Sequence, residues 1–531
     1  SGSAGVMSNL RLVSFGTLVS RILGLVRDMM MTALFGAGTI LDAFLVAFRI
    51  PNLLRQILGE GALSTAFLPV YLRTREQQGE QGARETLTLM AVLLAVVITI
   101  LIALAEFGIV MAWRTWELSE STSLLLGLLA VMLPYALTIC LAALFCAALH
   151  AQRQFLWPTL VPVVLNLVWL TGVVGVRQLD MPPIQQAYIL AGCVTVAGFI
   201  QMLIPYLALR ARGMGLVRNW QRGWADVREI LAAILPVLIG MSILQIGATL
   251  DSFLAWGFAQ PDDGGSAWCQ SLLGIEPVLE SGTASAIYLG QRLLQFPLGV
   301  FGIALGTVLF PLLTQHAQRR ETDLFRLELS RGLRFVVAIG IPASAGLCVI
   351  AWPLTLALFQ HGEFDRNDAI LTSRMIAVYS AGVWSLIGIA ILNRAWYAIG
   401  NRVIPMKLGL IALALNQVLN LSLIWFLGGI GLALGGVLTS AILCLVTLIL
   451  LNRHLGSLDW KAIRSTLLKS LICTIIMTAT CLGTISILPE PSGIASRLLL
   501  LIAPCLTGAG VILIGGRLVG LTEFEEFLTR S

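Results

Sequence analysis

Apolar residues run along this chain in long stretches cut by short polar segments. Read as helices, the stretches predict membrane-length elements at 10–36, 40–70, 86–112, 122–149, 157–176, 184–209, 229–258, 282–313, 330–358, 369–397, 404–426, 430–452, 464–488 and 497–519. The expected fold class is an all-α polytopic membrane protein with about 14 transmembrane helices, since helices alone can satisfy their backbone in lipid without closing a barrel. The longest interruption on the less basic side, 259–281, carries Trp268 and Cys269 and is expected to hold a short interfacial helix. Residues 1–6, ahead of Met7, read as a linker added in cloning, and no cleavable signal peptide is visible.

Composition sharpens this pattern into exclusions. The 531 residues are 57% hydrophobic and only 12% charged, against about 25% charged in an average soluble chain. A soluble enzyme, a nucleic-acid binder and a disordered scaffold are excluded. The end-to-end spread of apolar stretches excludes a single-span receptor. No GxxxxGK[ST] appears, so the chain is not an ATP-binding subunit by itself. His150, His316, His361 and His454 have no metal-ligand spacing. The nine cysteines contain no CxxC pair, and eight of them lie in apolar segments. Neither a paired-carboxylate site nor a nucleophile elbow is present, so a transporter is expected rather than an enzyme, with no cofactor.

The loops vote on orientation. One set holds Arg73, Arg75, Arg84, Arg153, Arg210, Arg212, Arg218, Arg222, Arg228, Arg319, Arg320, Arg394, Arg402, Lys407, Arg453 and Lys461, among others. The alternate set holds Arg114, Arg177, Arg366, Arg374 and Arg497 and most loop acids, including Asp262, Asp263, Glu276 and Glu280. The positive-inside rule puts both termini in the cytoplasm. An internal repeat adds organisation: ALHAQRQFLWP with Asn166 beyond it is echoed by WYAIGNRVIP with Asn416 beyond it, and TAFLPVYL (65–72) by TVLFPLL (307–313). The offset spans six helices, which predicts two parallel lobes. These are 7–210 and 229–453, joined by a cytoplasmic linker at 211–228 and followed by two helices within 454–531.

Charges inside the spans carry the functional reading. Arg21, Arg27, Asp28, Asp42, Arg49, Arg55 and Glu60 crowd the first two spans, and Arg292 lies in the eighth. A central charge costs about 3 kcal/mol to insert, so such groups face a wet cavity or pair with one another. Asp42, Arg49, Gln56 and Glu60 fall on one helical stripe, with Pro51 placed to kink it. Gly24 could allow a bend that turns Arg21 and Arg27 to one cavity. Gln291, Arg292 and Gln295 form a polar turn beside Pro297. For any single arginine the alternative is an internal salt bridge or snorkelling to the interface. Five arginines exceed three acids, however, and the surplus suits a phosphate or diphosphate.

A second polar set comprises Asp251 in the seventh span, Asn416 and Asn420 at i and i+4 in the eleventh, and Thr439 in the twelfth. Oxygen ligands from several helices could hold Na⁺, or Asp251 could carry a proton. Interhelical hydrogen bonding explains the same residues.

The runs SRILGLVRD (20–28) and FGAGTILDAFLVAFRIPNLLRQILGEGALSTAFLPVY (35–71) closely resemble the MurJ/MviN family of lipid II flippases, within the multidrug/oligosaccharidyl-lipid/polysaccharide exporter superfamily. The pieces QRLLQFPLGVFGIALGTVLFPLL (291–313) and LALFQHGEF (356–364) are similar to it as well. The resemblance implies movement of lipid II, an undecaprenyl-diphosphate-linked disaccharide pentapeptide, from the cytoplasmic to the periplasmic leaflet of the bacterial inner membrane. It implies alternating access, reset by membrane potential or by Na⁺ or H⁺. Arg21, Arg27, Arg55 and Arg292 match the family's cavity arginines and Asp42 its first-half acid. Arg49 joins them here as a substrate-binding candidate, with Asp28, Asp42 and Glu60 as gating or arginine-orienting residues. Asp251, Asn416, Asn420 and Thr439 match the cation site by position. The last two spans would form a groove for the lipid tail. Expected partners are lipid II, membrane lipids and cell-wall synthesis or division proteins, with no nucleic acid. Two departures stand out: Gln291 replaces a frequent acid before Arg292, and the loop at 259–281 is long. The alternative is another flippase or antiporter of the superfamily, for polysaccharide-lipid or drug/cation export. An arginine-rich cavity fits a drug antiporter poorly.

Overall fold

The computed structural model describes residues 2–57, 63–220, 223–262, 264–491, 493–521 and 523. Side chains at 2–11, 63–65, 235–244, 303, 304, 307 and 308 fall outside that description. The described residues are helical almost throughout and form no strand. Among them, nine helices are long and apolar enough to cross a membrane, or ten if one bent pair counts as a single span. The protein is a multi-pass helical membrane protein. The chain groups into two compact units, Ser1–Pro277 and Val278–Ser531.

The first unit contains α1 (Gly2–Phe35), α2 (Thr39–Leu54), α3 (Leu63–Thr115), α4 (Glu120–Ala151), α5 (Leu156–Arg177), α6 (Pro183–Arg210), α7 (Trp224–Gly257) and α8 (Trp268–Leu273). α4 is its axis, packing on α2, α3 and α6. Its start is set by Ser119, whose hydroxyl accepts from the Thr122 amide. Its seam with α6 uses small residues for close approach: a Cβ on Gly127 would lie 2.0 Å from the Tyr188 hydroxyl oxygen, and one on Gly198 would lie 2.4 Å from Thr138 Oγ1 and 2.5 Å from Tyr135 Cδ2. Apolar side chains gain little from leaving lipid for one another, so close backbone approach and van der Waals contact carry such seams. α7 packs on α2 and α3. By contact it therefore belongs to the first unit, whereas the repeat placed it at the start of the second lobe.

Two boundaries differ from the hydropathy pattern. The span expected at 40–70 is not one helix. α2 ends at Leu54, three residues after Pro51, and residues 55–57 widen to π-helical geometry. The next helix does not stop at residue 70. α3 continues through the charged segment to Gly79, turns there with φ 72° and ψ −168°, and resumes to Thr115. Arg, Glu and Gln are good helix formers, so a hydropathy cut ends the helix too early. Only a residue without Cβ adopts Gly79's conformation cheaply. The 211–228 segment is tied to this part of α3. Arg84 Nε donates to Gly215 O (3.0 Å), the Val217 amide to Thr88 Oγ1 (2.9 Å), and Thr86 Oγ1 to Asp226 Oδ2 (3.1 Å). The expected short helix in 259–281 is α8, with Cys269 fully buried.

The second unit contains α9 (Thr283–Pro297), a π-helical turn (Leu298–Gly302), α10 (Ile303–Gln318), α11 (Thr322–Val349), α12 (Ala351–Leu358), α13 (Arg366–Ser380), α14 (Val383–Ala398), α15 (Val403–Leu427), α16 (Gly429–Leu455), α17 (Trp460–Ile487) and α18 (Ile494–Val519). The expected span at 369–397 is the bent pair α13–α14, with an angle of 41°. α9 packs on α13, while α10 packs on α11 and α14. The two copies of the sequence repeat form like elements: α4 turns into α5 through Arg153 at φ 57°, and α14 turns into α15 through Gly400 at φ 81°. Cysteines are not uniformly interior, since Cys348 and Cys505 are exposed.

α17 and α18 pair with each other and pack on α11 and α12. Cys473, Met477, Cys481 and Ile512 form their apolar seam with Ala338. A polar clamp closes one end. Arg334 Nε donates to Glu523 Oε1 (2.7 Å), and Thr466 Oγ1 donates to the same oxygen (3.0 Å). Glu523 is 3% exposed. Removing a buried carboxylate's cation costs about 3–5 kcal/mol, and partial exposure of Arg334 reduces this to about 1–2 kcal/mol. Arg334→Met is therefore expected to lower the unfolding temperature in detergent by several degrees. Glu523→Gln, which keeps an oxygen acceptor for Thr466, should have the smaller effect in the same melt.

Candidate functional site

α1 runs as one continuous helix through Gly24. Arg21 and Arg27 are six residues apart, about 240° around a regular helix. Arg21 is exposed and Arg27 is 6% exposed. Arg27 is enclosed by groups from α1 and α5. Its Nε and Nη2 donate to Asp28 Oδ1 (3.1 and 2.7 Å), and Nη1 donates to Asn166 Oδ1 (3.3 Å). Its guanidinium carbon lies 4.3 Å from the centre of a Trp169 ring. Carboxylate, amide oxygen and aromatic face together compensate a cation held away from water.

The next layer fixes those partners. Asn166 Nδ2 donates to Ser20 O (3.1 Å) and Pro162 O (3.2 Å), which orients its oxygen towards Arg27. Trp169 Nε1 points at Met31 Sδ (3.2 Å), and its ring packs on Phe44 and Phe48 of α2. Sequence reading gave Asn166 only as a repeat marker and missed Trp169. The available signal was their i, i+3 spacing, which puts both on one face of α5.

α2 carries Asp42 and Arg49 on one face, as expected from their spacing of seven. Asp42 is 1% exposed, while Arg49, Asn52, Arg55 and Gln56 are half-buried. Arg55 Nε donates to Asn52 Oδ1 (2.8 Å). Glu60, the last member of the predicted stripe, lies outside the described residues. The N-terminus of α2 is capped from a distance. Asp262 Oδ2 accepts from the Thr39 amide (2.8 Å) and hydroxyl (3.2 Å), and the Asp262 amide donates to Thr39 Oγ1 (2.9 Å). A carboxylate at that end satisfies an orphan donor and complements the helix dipole. No local capping motif reveals this, because Asp262 is 223 residues away.

In the second unit Arg292 is half-buried on α9, with Nη1 3.4 Å from Gln295 Oε1. Gln291 Nε2 is 3.4 Å from the Tyr379 hydroxyl. Asn416 and Asn420 face α16: a Cβ on Gly435 would lie 2.2 Å from Asn420 Oδ1, and one on Gly436 would lie 3.8 Å from Asn416 Oδ1. Thr439 follows one turn later, and all three are buried. Asp251 is buried on α7 in the first unit. Arg394, counted by sequence among the loop cations, instead lies within α14, where Nη1 donates to Gly302 O (3.0 Å). Glu106 on α3 is an intramembrane acid that sequence reading passed over; it is half-buried beside the exposed Leu104 and Phe107. Among the described residues no three His, Cys, Asp or Glu side chains gather to hold a metal.

The chain as a whole has counterparts among known proteins. A family model described as lipid II flippase MurJ matches residues 31–502. A Vibrio cholerae protein named a probable lipid II flippase MurJ is 34% identical over 440 residues, covering 80% of this chain and 78% of its own. A solved structure of lipid II flippase MurJ in an inward closed conformation superposes with a TM-score of 0.75. It is 21% identical and covers 98% of this chain and 99% of its own. An inward-facing multidrug MATE transporter of the MOP superfamily shares the fold at a TM-score of 0.62, with 14% identity over 84% of this chain and 95% of its own. With the family match running through α2, α9 and the paired asparagines of α15, the chain belongs to the MurJ family of lipid II flippases.

Proposed function

We propose that this protein carries lipid II from the cytoplasmic to the periplasmic leaflet of the bacterial inner membrane, by alternating access and without chemical change to the lipid. The observation that carries this reading is that Arg49, Arg55 and Arg292, half-buried in apolar helices, all lie inside the stretch matched by the MurJ model. A diphosphate brings paired anionic oxygens that guanidinium groups bind bidentately, and water exclusion strengthens each contact. Arg21, Arg49, Arg55 and Arg292 receive the headgroup. Arg27 shares its charge with Asp28 in the described conformation and contributes a positioned cation when that pair rearranges. Asp28, Asp42 and Glu60 orient the arginines. The basic loops lie in the cytoplasm together with both termini. Cell-wall synthesis proteins would supply and consume the lipid on the two sides.

Arg55→Ala should abolish growth complementation in cells lacking any other lipid II flippase, at wild-type membrane levels. Arg55→Lys should restore it in part, because an ammonium keeps charge but loses the planar fork. Leaflet-specific labelling of lipid II in the same cells reads transport directly. Full complementation by Arg55→Ala would count heavily against a cationic headgroup site.

Ion coupling rests on the oxygen set of the second unit. Thr439 Oγ1 is buried with no hydrogen-bond partner among the described residues, and the amides of Asn416 and Asn420 bring the same hard-oxygen chemistry beside it. These residues would hold Na⁺, and membrane potential would drive the return step. Thr439→Val keeps the shape and removes the oxygen. In proteoliposomes at fixed potential it should raise the Na⁺ concentration for half-maximal flipping by about tenfold, a loss of roughly 1.4 kcal/mol. An unchanged Na⁺ response would remove Thr439 from the site.

A further inference from the structure

The eighth expected span is jointed. Its first part, α9, carries Arg292 and packs on α13; its second part, α10, packs on α11 and α14. Between them the π turn at Leu298–Gly302 touches α9, α10 and α14. A π turn inserts an extra residue into the helix and so changes the rotational phase of one part against the other, by about 100° per residue. Whatever holds this turn therefore decides which way Arg292 faces relative to the anchored second part.

One side chain is placed to do so. Arg394 reaches from α14 to Gly302 O, the last carbonyl of the turn, at 3.0 Å. Its guanidinium also fills the place where residue 306 would carry a side chain. A Cβ built on Gly306 lies 0.6 Å from Nη1, 1.7 Å from Cζ and 2.5 Å from Nη2. Gly306, one helical turn beyond Gly302, thus leaves a notch of the kind that usually admits a neighbouring backbone. Here the notch admits a flat cation. Arginine suits the seat because its charge is permanent and its fork is planar. An intramembrane guanidinium without this seat would lose its oxygen partner in a medium that offers few others.

We propose that Arg394 is a positioning residue. Seated against Gly306 and bonded to Gly302 O, it holds the π turn and thereby fixes the direction in which α9 presents Arg292 to the lipid headgroup. This rests on the headgroup role given to Arg292 above. Arg394 does not touch the headgroup; it acts through the span that does.

The test compares Arg394→Met with Gly306→Ala in the full-length protein, in detergent and in proteoliposomes. Gly306→Ala displaces the guanidinium without removing any charge. Two readouts are taken, purified lipid II affinity and backbone amide exchange across 298–306. Both variants should exchange faster across the turn and bind lipid II about five- to tenfold more weakly, the range expected for a coupled contact. The double variant should be no worse than the worse single one. Arg394→Lys, which keeps one donor for Gly302 O, should recover part of the affinity. In an Arg292→Ala background neither substitution should weaken binding further, whereas general destabilisation would add to that loss. Unchanged exchange in Gly306→Ala, or effects that add in the double variant or on Arg292→Ala, would overturn the positioning role while leaving the headgroup reading intact. An Arg292→Ala protein with wild-type lipid II affinity would instead overturn the headgroup role of Arg292 and the positioning role that depends on it.

Discussion

A guanidinium in a hydrocarbon layer has to be given what water would have given it. Arg27 obtains a carboxylate, an amide oxygen and a tryptophan face. Arg394 obtains a backbone carbonyl and the space left open by Gly306. Arg334, at the edge of its unit, shares Glu523 with a threonine hydroxyl. Much of the irregular structure follows from these needs. Asn166 is oriented by two backbone carbonyls so that it can serve Arg27, and the π turn that interrupts α9–α10 ends on the carbonyl that serves Arg394. Helices in lipid satisfy their own backbones, so the remaining specificity of the fold falls to the few side chains that cannot be left alone.

The helical architecture was legible because apolar length is a direct consequence of bilayer thickness. Nine helices among the described residues, or ten with the bent pair, have membrane-crossing length, and the short helix around Trp268 and Cys269 was anticipated from the length of its loop. What hydropathy could not show was where a helix continues without apolar residues, as α3 does to Gly79, or where an apolar run hides a break, as at residues 298–302. Both depend on backbone geometry, to which an average over side-chain polarity is blind.

The candidate site was legible by residue type and less so by direction. Arg21 and Arg27 read alike in the sequence, as two cations near one glycine. The continuous α1 leaves one exposed and buries the other, a matter of helical phase. Asp42 and Arg49 kept one face because a spacing of seven almost closes two turns, whereas Gln56 falls in the π-helical widening at 55–57. Asp262 and Arg394 were counted as loop charges because their partners, Thr39 and Gly302, lie far along the chain and only the folded backbone brings them near. Trp169 was overlooked for a different reason: an aromatic in an apolar span has an ordinary packing role, and only its position over a buried cation distinguishes it.

The clamp between Arg334 and Glu523 also has a consequence in time. Its two members are 189 residues apart, so α11 leaves the ribosome long before its counter-charge exists. The arrival of the C-terminal segment lets α17 and α18 lock onto α11, making their docking a late event in biogenesis. A nascent chain arrested before residue 523 would carry an uncompensated arginine at that seam, a mark by which membrane quality control could tell an unfinished protein from a finished one.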